Sequence, residues 1–241
     1  MNINQITVDK IAANAEKAKI VWNLYSHDEK LKEILHLRPT KSGITIVSTL
    51  PCAPMRGLEV NDIELAETLR IIAAKKATLL SANPENAKEI LKNMKFKGRK
   101  NDGFREENAQ AMFIKGMILK QEIYEGIHFV ASELTLDGDN RFDVLGYKDD
   151  VLYIFELKKD RTFDCIKQVS DYVNLVKQNN AAFLNVLSQY PHFSVSGFSS
   201  VQGVAVMKYA ANATEKLAEE AKEKGIRLWY YEESISIRKM Q

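Results

Sequence analysis

Residues 141–158 read RFDVLGYKDDVLYIFELK, and the rest of the chain is organised around them. Two apolar runs flank the turn residues 148–150, a pattern that predicts a pair of antiparallel strands. Asp143, Glu156 and Lys158 are charged, yet each lies inside one of the apolar runs. A buried charge costs several kcal/mol unless a partner compensates it. Three such charges so close together therefore predict a shared site, with a divalent metal as the candidate compensator of the carboxylates.

The alternation of side chains along a strand sets the geometry of this predicted site. Successive side chains point to opposite faces, so Glu156 and Lys158 share a face and the backbone carbonyl of Leu157 lies between them. Asp143, on the neighbouring strand, can approach Glu156 across the pair. Two carboxylates and a carbonyl oxygen suit Mg²⁺, which keeps water molecules in its remaining positions. A water molecule near the Lys158 ammonium would be placed for attack on a phosphodiester.

The sequence around the hairpin predicts a mixed sheet flanked by helices. Apolar periodicity indicates helices over 104–121, 162–178, 181–189 and 213–224, and strands over 127–136, 141–147, 151–158, 201–207 and 226–231. The first three of these strands form an antiparallel meander. The last two, joined by a helix that stops at Gly225, form a βαβ unit and hence a parallel pair.

The first hundred residues carry no catalytic motif and predict a mainly helical accessory domain. Helices are expected over 6–25, 28–37, 61–80 and 83–94, with a loop over 38–43 and a strand over 44–48. Asn61 is expected to cap the third helix, with Glu64 three residues later. Residues 95–103, with two glycines and four basic residues, mark a linker or exposed loop. We therefore divide the chain into an accessory domain at 1–98 and a second domain at 99–241.

Composition limits the class of protein. Of the 241 residues, 45% are hydrophobic and 27% are charged, as in soluble globular proteins, and the net charge of +2 does not by itself indicate nucleic-acid binding. No apolar run approaches the roughly 18 residues of a membrane span, and the first ten residues lack a signal-peptide apolar region. A cytoplasmic location is expected. Cys52 and Cys165 are expected to be reduced, and the histidines lack zinc-ligand spacing.

The sequence resembles the PD-(D/E)xK nuclease superfamily, most closely its RecB-like and mismatch-endonuclease-like branches, over about residues 104–231. The positions that carry the resemblance are Asp143, Glu156, Lys158, Gln168 and Tyr172. The last two are four residues apart on the helix after the hairpin and share a face. The apolar flanks, the placement on strands and the 12 residues between Asp143 and Glu156 agree with this family.

The resemblance implies a restriction-endonuclease-like α+β fold and cleavage of DNA phosphodiester bonds that depends on Mg²⁺ or Mn²⁺. Asp143 and Glu156 would bind the metal, Lys158 would position or activate the attacking water, and Gln168 and Tyr172 would support the site. Phe142 stands where the motif has proline, and such a replacement of the proline is common in these branches.

The family often adds a glutamate from the helix that precedes the meander. Glu106 and Glu107 compete for that role, and Glu133 is a third candidate. Candidate contacts with nucleic acid are Arg141, Lys159, Lys97, Arg99 and Lys100. Cutting both strands of DNA needs two sites, which a homodimer would supply.

Two alternatives stand beside this interpretation. An Asp, Glu and Lys at this spacing also occur by chance, as a hairpin with a salt bridge between Lys158 and one of the acids. The chain could also be a nuclease-fold DNA-binding or assembly module with little activity of its own. For the active enzyme, the expected role is DNA repair, restriction or mobile-element processing.

Overall fold

The computed structural model describes residues 3–50, 56–97, 106–136, 140–158, 163–208, 214–231 and 237–239. Within these ranges, eight α-helices accompany a three-stranded sheet and a six-stranded sheet. The chain has an α+β fold in which a mixed sheet is flanked by helices and preceded by a mainly helical N-terminal part. This architecture is consistent with the restriction-endonuclease-like class predicted from the sequence. No helix in the described ranges combines the length and the apolar character that a membrane span requires.

The N-terminal part packs its helices against a small antiparallel sheet. Its elements are α1 Gln5–Asn23, α2 Glu29–Lys32, β1 Leu35–Pro39, β2 Ile44–Ser48, β3 Gly57–Val60, α3 Asp62–Ser81 and α4 Pro84–Asn93. The strand order is β1-β2-β3. The predicted cap of α3 is confirmed, because the Asn61 side chain accepts a hydrogen bond from the Glu64 backbone N–H at 2.9 Å.

One predicted helix is wrong, and the loop after it is shorter than predicted and covers only residues 40–43. In place of a helix over 28–37 and a loop over 38–43, α2 ends at Lys32 and β1 runs on to Pro39. Leu35 and Leu37 pair with β2 and are buried in the N-terminal core. Pairing with a strand that follows in the chain overrides the local preference for helix. Pro39 is tolerated because it ends an edge strand, where its missing N–H leaves no gap inside the sheet.

The second part contains the predicted mixed sheet. Its elements are α5 Glu106–Ile118, a 3₁₀ turn Glu122–Tyr124, β4 His128–Thr135, β5 Arg141–Lys148, β6 Val151–Lys158, α6 Phe163–Gln178, α7 Asn180–Leu187, β7 Ser200–Lys208, α8 Thr214–Glu223, β8 Arg227–Tyr231 and β9 Ile237–Lys239. The strand order is β4-β5-β6-β7-β8-β9. The antiparallel meander and the parallel β7–β8 pair are confirmed, and β6–β7 is also parallel. Strand β9, antiparallel to β8, was not predicted.

Helices cover both faces of the six-stranded sheet. On one face, α5 packs Phe113 against Phe155 of β6. On the other face, α6 contributes Ile166 and Val169 to a core that also contains Ile154. Helix α1 contributes to two cores. Its first half packs in the same core as α6, and its last turns pack in the N-terminal core. The division of the chain near residue 98 stays a prediction.

Polar contacts, all of them buried or partly buried, join β1 to the second part. The ring Nε2 of His36 lies 2.7 Å from the Ser132 hydroxyl of β4, and the Leu37 N–H donates to His192 Nε2 at 2.8 Å. Arg38 forms an ion pair with Glu133 at 2.6 Å. Burial lowers the pKa of His36 well below its usual range and lowers the pKa of His192 to about 3. Both rings are therefore neutral near pH 7 and act as neutral hydrogen-bonding groups.

These two histidines predict a loss of stability in acid. In the unfolded chain a histidine has a pKa near 6.5, whereas in the folded chain the pKa of each of these two rings is much lower. Below pH 6.5 the unfolded state therefore binds more protons than the folded state, and the free energy of unfolding falls as the pH drops. Arg38 and Lys32, whose charges act on these rings, reinforce the neutral forms. Between pH 6.5 and 5, each histidine should remove about 2 kcal/mol from the free energy of unfolding.

Urea unfolding at a series of pH values measures this effect. His192→Asn keeps an acceptor for the Leu37 N–H and should flatten the acid slope by about one proton. His27 is exposed, so His27→Asn is the matched control and should leave the slope unchanged. Equal slopes for wild type and His192→Asn would contradict the prediction.

Gly203 of β7 lets α6 approach the sheet closely. A Cβ added at Gly203 would lie 2.4 Å from Val169 Cγ1 and 2.6 Å from Ile226 Cδ1. Gly203→Val should therefore lower the free energy of unfolding by about 1–3 kcal/mol through overpacking. Gly197→Val is the matched control, because a Cβ there meets nothing within 4 Å. Urea unfolding should show almost no change for the control, and equal losses in the two variants would contradict this account.

Candidate active site

Two buried carboxylates lie at the end of the β5–β6 hairpin. Asp143 and Glu156 each stand one position beyond the Val144–Phe155 pair, and they are only 6% and 1% exposed. The Oδ2 atom of Asp143 accepts a hydrogen bond from the Leu157 N–H at 2.9 Å. The Asp143 carboxylate therefore reaches across to the backbone between Glu156 and Lys158. The structure brings together the two acids that the sequence analysis singled out.

Lys158 provides positive charge next to Glu156. Its Nζ donates to Glu156 Oε1 at 2.6 Å, which agrees with the expected alternation along β6. The Lys158 side chain is 29% exposed, whereas that of Glu156 is 2% exposed. The ion pair thus offsets part of the cost of burying the carboxylate while its ammonium stays in contact with solvent. The site is therefore accessible to a ligand from the lysine side.

Gln168 and Tyr172 of α6 form a hydrogen-bonded chain beside the acids. Gln168 Nε2 donates to the Tyr172 hydroxyl at 2.7 Å, and that hydroxyl donates to the Arg141 carbonyl at 3.0 Å. Burial raises the pKa of Tyr172, and the negative charges of Glu156 and Asp143 raise it further. Tyr172 therefore stays protonated near pH 7, lies within the field of both acids, and ties α6 to the start of β5.

Two further side chains, which the sequence analysis missed, hold the backbone of the site. Gln110 of α5 is buried, and its Nε2 donates to the Asp143 carbonyl at 2.9 Å. Cys165 of α6 contacts the Glu156 carbonyl through its thiol at 3.9 Å. The signal for Gln110 was available, because it is an uncharged polar residue inside an apolar helix, and buried polar groups are hydrogen-bonded. Nothing in the sequence pattern distinguished Cys165.

The remaining predicted site residues differ in placement. Glu133 lies in β4 opposite Asp143, between the Ser132–Val144 and Leu134–Phe142 pairs, and its carboxylate binds Arg38. Arg141 is exposed at the start of β5. Lys97 is exposed and pairs through its backbone with Gly57, at the edge of the N-terminal sheet.

Five of the predicted residues cannot be placed by their side chains. Glu106 and Glu107 begin α5 one turn before Gln110, and their side chains lie outside the described part of the structure. Arg99, Lys100 and Lys159 also lie outside the described ranges. Their predicted roles therefore stay predictions.

The donors at the site suit a hard divalent cation. Among the described residues, no group of three His, Cys, Asp or Glu side chains is arranged to hold a metal ion. Mg²⁺, however, commonly takes only one or two protein carboxylates and fills its other positions with water and substrate oxygens. Asp143 and Glu156 supply two buried carboxylates on adjacent strands. This donor set fits Mg²⁺ or Mn²⁺ better than it fits metals that prefer sulfur or imidazole.

Known proteins show little similarity to this chain. No protein-family model matches the chain, and no curated protein matches it. Among solved structures, a chain of an EndoMS-dsDNA2 complex matches at 15% identity with a TM-score of 0.37. The match covers 55% of this chain and 48% of that chain, so it spans about half of each. An overlap of this size assigns neither a family nor an activity.

The Tyr172 hydroxyl should contribute measurably to stability. Tyr172→Phe removes the donor to the Arg141 carbonyl at the start of β5 and the acceptor of Gln168, and should lower the free energy of unfolding by about 1–2 kcal/mol. Tyr147→Phe is the matched control, because the Tyr147 hydroxyl bonds Asp150 in an exposed turn. Urea unfolding measures both variants. A loss for Tyr172→Phe no larger than that of the control would contradict the hydrogen-bonded chain.

Proposed function

We propose that the chain is a Mg²⁺- or Mn²⁺-dependent endonuclease that hydrolyses DNA phosphodiester bonds in repair, restriction or mobile-element processing. The supporting observation is the convergence of Asp143, Glu156 and Lys158 at one end of the hairpin, with both acids buried and the lysine partly exposed. A protein selected only for stability gains little from two buried carboxylates at this point. The sequence resemblance to PD-(D/E)xK nucleases assigns the same three residues to the reaction.

Asp143 and Glu156 would hold the metal, with the Leu157 carbonyl as a third oxygen ligand. Glu106, Glu107 and Glu133 are the candidates for a further acid. When bound, the ion would supply Lewis-acid stabilisation of the phosphate and lower the pKa of a water molecule. Because both carboxylates lie on β-strands, the ligands would be positioned by rigid elements.

Lys158 would act on the water or on the phosphate. An ammonium that donates to Glu156 has no lone pair, so in this state Lys158 is a hydrogen-bond donor and a positive charge, not a base. Its exposed fraction lets it donate to the attacking oxygen or to a phosphate oxygen, where negative charge develops in the transition state. Gln168 and Tyr172 would be positioning residues, because they hold the backbone of β5 two residues before Asp143.

Cleavage of labelled DNA tests this proposal. A panel of duplex, mismatched, branched and single-stranded substrates is incubated with Mg²⁺, with Mn²⁺ and with a chelator. Wild type should cut at least one substrate with metal and none with the chelator. Asp143→Asn, Glu156→Gln and Lys158→Met should each lower the rate by at least about 100-fold. Asp143→Asn keeps an oxygen acceptor for the Leu157 N–H, so the fold should be retained.

Matched controls come from the turn of the same hairpin. Asp149 is exposed and has a positive φ of 48°, which asparagine tolerates, so Asp149→Asn should cut normally. Lys148→Met should also cut normally, because Lys148 lies at the opposite end of β5 from the site. Normal cleavage by folded Asp143→Asn would refute the proposed site.

Metal-independent DNA binding without cleavage of any substrate would instead favour the binding or assembly module. Sedimentation would report whether the active form is the expected homodimer.

A further inference from the structure

A cavity of about 370 Å³ lies between the N-terminal part and the six-stranded sheet. Its volume falls within the range of about 300–1,000 Å³ that small-molecule sites occupy. Five segments contribute to its walls: α1 with the residues just after it, α2, the end of α5 with the residues that follow, the start of β4, and residues 191–193. A site built from so many separate segments is held in place by the fold as a whole.

Aromatic rings form much of the wall. His128 and Phe193 stack in parallel, with ring centroids 4.5 Å apart and an interplanar angle of 5°. Trp22 meets His192 edge-on at 4.7 Å, and Phe129 lies 5.3 Å from the same histidine. Trp22 and Phe129 are only 2% and 3% exposed, and His128 and Phe193 cover each other's stacked faces, so the rings form a rigid wall and not an open stacking surface. A ligand ring can pack against this wall without ordering it first, which keeps the entropic cost of binding low.

Two lysines make the cavity electropositive. Lys32 and Lys120 line it, and none of the lining residues, all within the described ranges, is acidic. Each lysine lies close enough to a histidine ring to affect its pKa. Burial is the main cause that lowers the pKa of His128 and of His192, and the charges of Lys120 and Lys32, respectively, lower it further. Lys32 also pairs with Glu29, but the Glu29 side chain is 68% exposed, and surface pairs of this kind are weak. The charges therefore favour an anionic ligand.

Neutral polar groups complete the lining. His192 accepts the Leu37 N–H at Nε2, so its ring proton sits on Nδ1. Asn23 adds an amide, which both donates and accepts, and Ser26 adds a hydroxyl that donates to the Asn23 carbonyl at 3.2 Å and keeps its oxygen as an acceptor. Such groups can recognise the polar edge of a heterocycle, whereas the lysines suit a phosphate.

The cavity is separate from the candidate active site. His128 precedes Glu133 by five residues on β4, and Glu133 lies opposite Asp143. At about 3.3 Å per residue, the cavity wall at His128 is roughly 17 Å from the backbone opposite the carboxylates. A ligand in the cavity would therefore not occupy the proposed catalytic position.

We propose that this cavity binds a nucleotide, with the base packed against the aromatic wall and the phosphate at Lys32 and Lys120. The same chemistry has two sources, a free mononucleotide and an unstacked nucleotide of a DNA strand. The inference does not require the proposed nuclease activity, because it rests on the walls, charges and volume of a different region.

Titration calorimetry with the full chain tests the proposal, in the presence of a chelator so that no strand is cut. The probes are the four nucleoside monophosphates, their nucleosides, inorganic phosphate and a short single-stranded oligodeoxynucleotide. At least one monophosphate should bind and should change the fluorescence of Trp22. Its nucleoside should bind at least about fivefold more weakly, since it lacks the phosphate charge. An oligonucleotide that binds more tightly than every monophosphate identifies a DNA strand as the source.

Lysine variants locate the binding. Lys120→Asn and Lys32→Gln should each weaken binding of the monophosphate about five- to tenfold. Lys120 has a positive φ of 54°, which asparagine tolerates, so the first variant should fold. Lys95→Asn is the matched control, because Lys95 is exposed, has a φ of 66° and lies outside the cavity.

Three results would overturn the proposal. The first is failure of every monophosphate and of the oligonucleotide to bind wild type. The second is binding that folded Lys120→Asn and Lys32→Gln leave unchanged, which would place the ligand elsewhere. The third is equal affinity for nucleoside and monophosphate, which would remove the phosphate from the interaction. A cleavage defect in Asp143→Asn with normal nucleotide binding would separate this site from the proposed active site.

Discussion

The burial of two carboxylates at the end of the β5–β6 hairpin is the constraint that the surrounding structure satisfies. Asp143 and Glu156 lie one position beyond Val144–Phe155, the last backbone pair of the hairpin. The Leu157 N–H and the Lys158 ammonium approach the carboxylates directly. Further contacts hold the backbone around them: Gln110 from α5, Cys165 and Tyr172 from α6, and Tyr231 from β8, whose hydroxyl donates to the Lys158 carbonyl. Elements on both faces of the sheet thus converge on two residues.

The second half of the fold was largely predictable because its strands carry local sequence patterns. Every strand of the meander has an apolar run bounded by turn residues, and the alternation in β6 fixes which side chains share a face. The positions of Glu156 and Lys158 follow from that local rule. The role of Gln110 does not follow from a local rule, because its partner is a backbone carbonyl that is 33 residues away in the chain. Strand β9 was missed because its pairing with β8 depends on tertiary context more than on its three-residue sequence.

The N-terminal part was harder to predict, for a related reason. Leu35 and Leu37 carry a pattern that suits either a helix or a strand, and only their pairing with β2 decides between them. His36, between them, is buried against Ser132 of β4, a contact that no local pattern encodes. Helix α1 likewise belongs to two cores, although its sequence indicates only that one face is apolar. Sequence periodicity predicts that a face is buried, and it does not tell which other element buries it.

A contact of β1 also connects the first hundred residues to the candidate site. Glu133 occupies the β4 position opposite Asp143, yet its carboxylate is directed to Arg38 of β1. Its φ of 48° is unusual for a residue other than glycine, and a backbone of this kind costs on the order of 1–3 kcal/mol. Arg38 and Glu133 are both largely buried, so loss of either partner would leave an uncompensated buried charge, and the pair holds the Glu133 carboxylate in this position. The N-terminal sheet therefore determines where one acid next to the site points, and its role extends beyond packing.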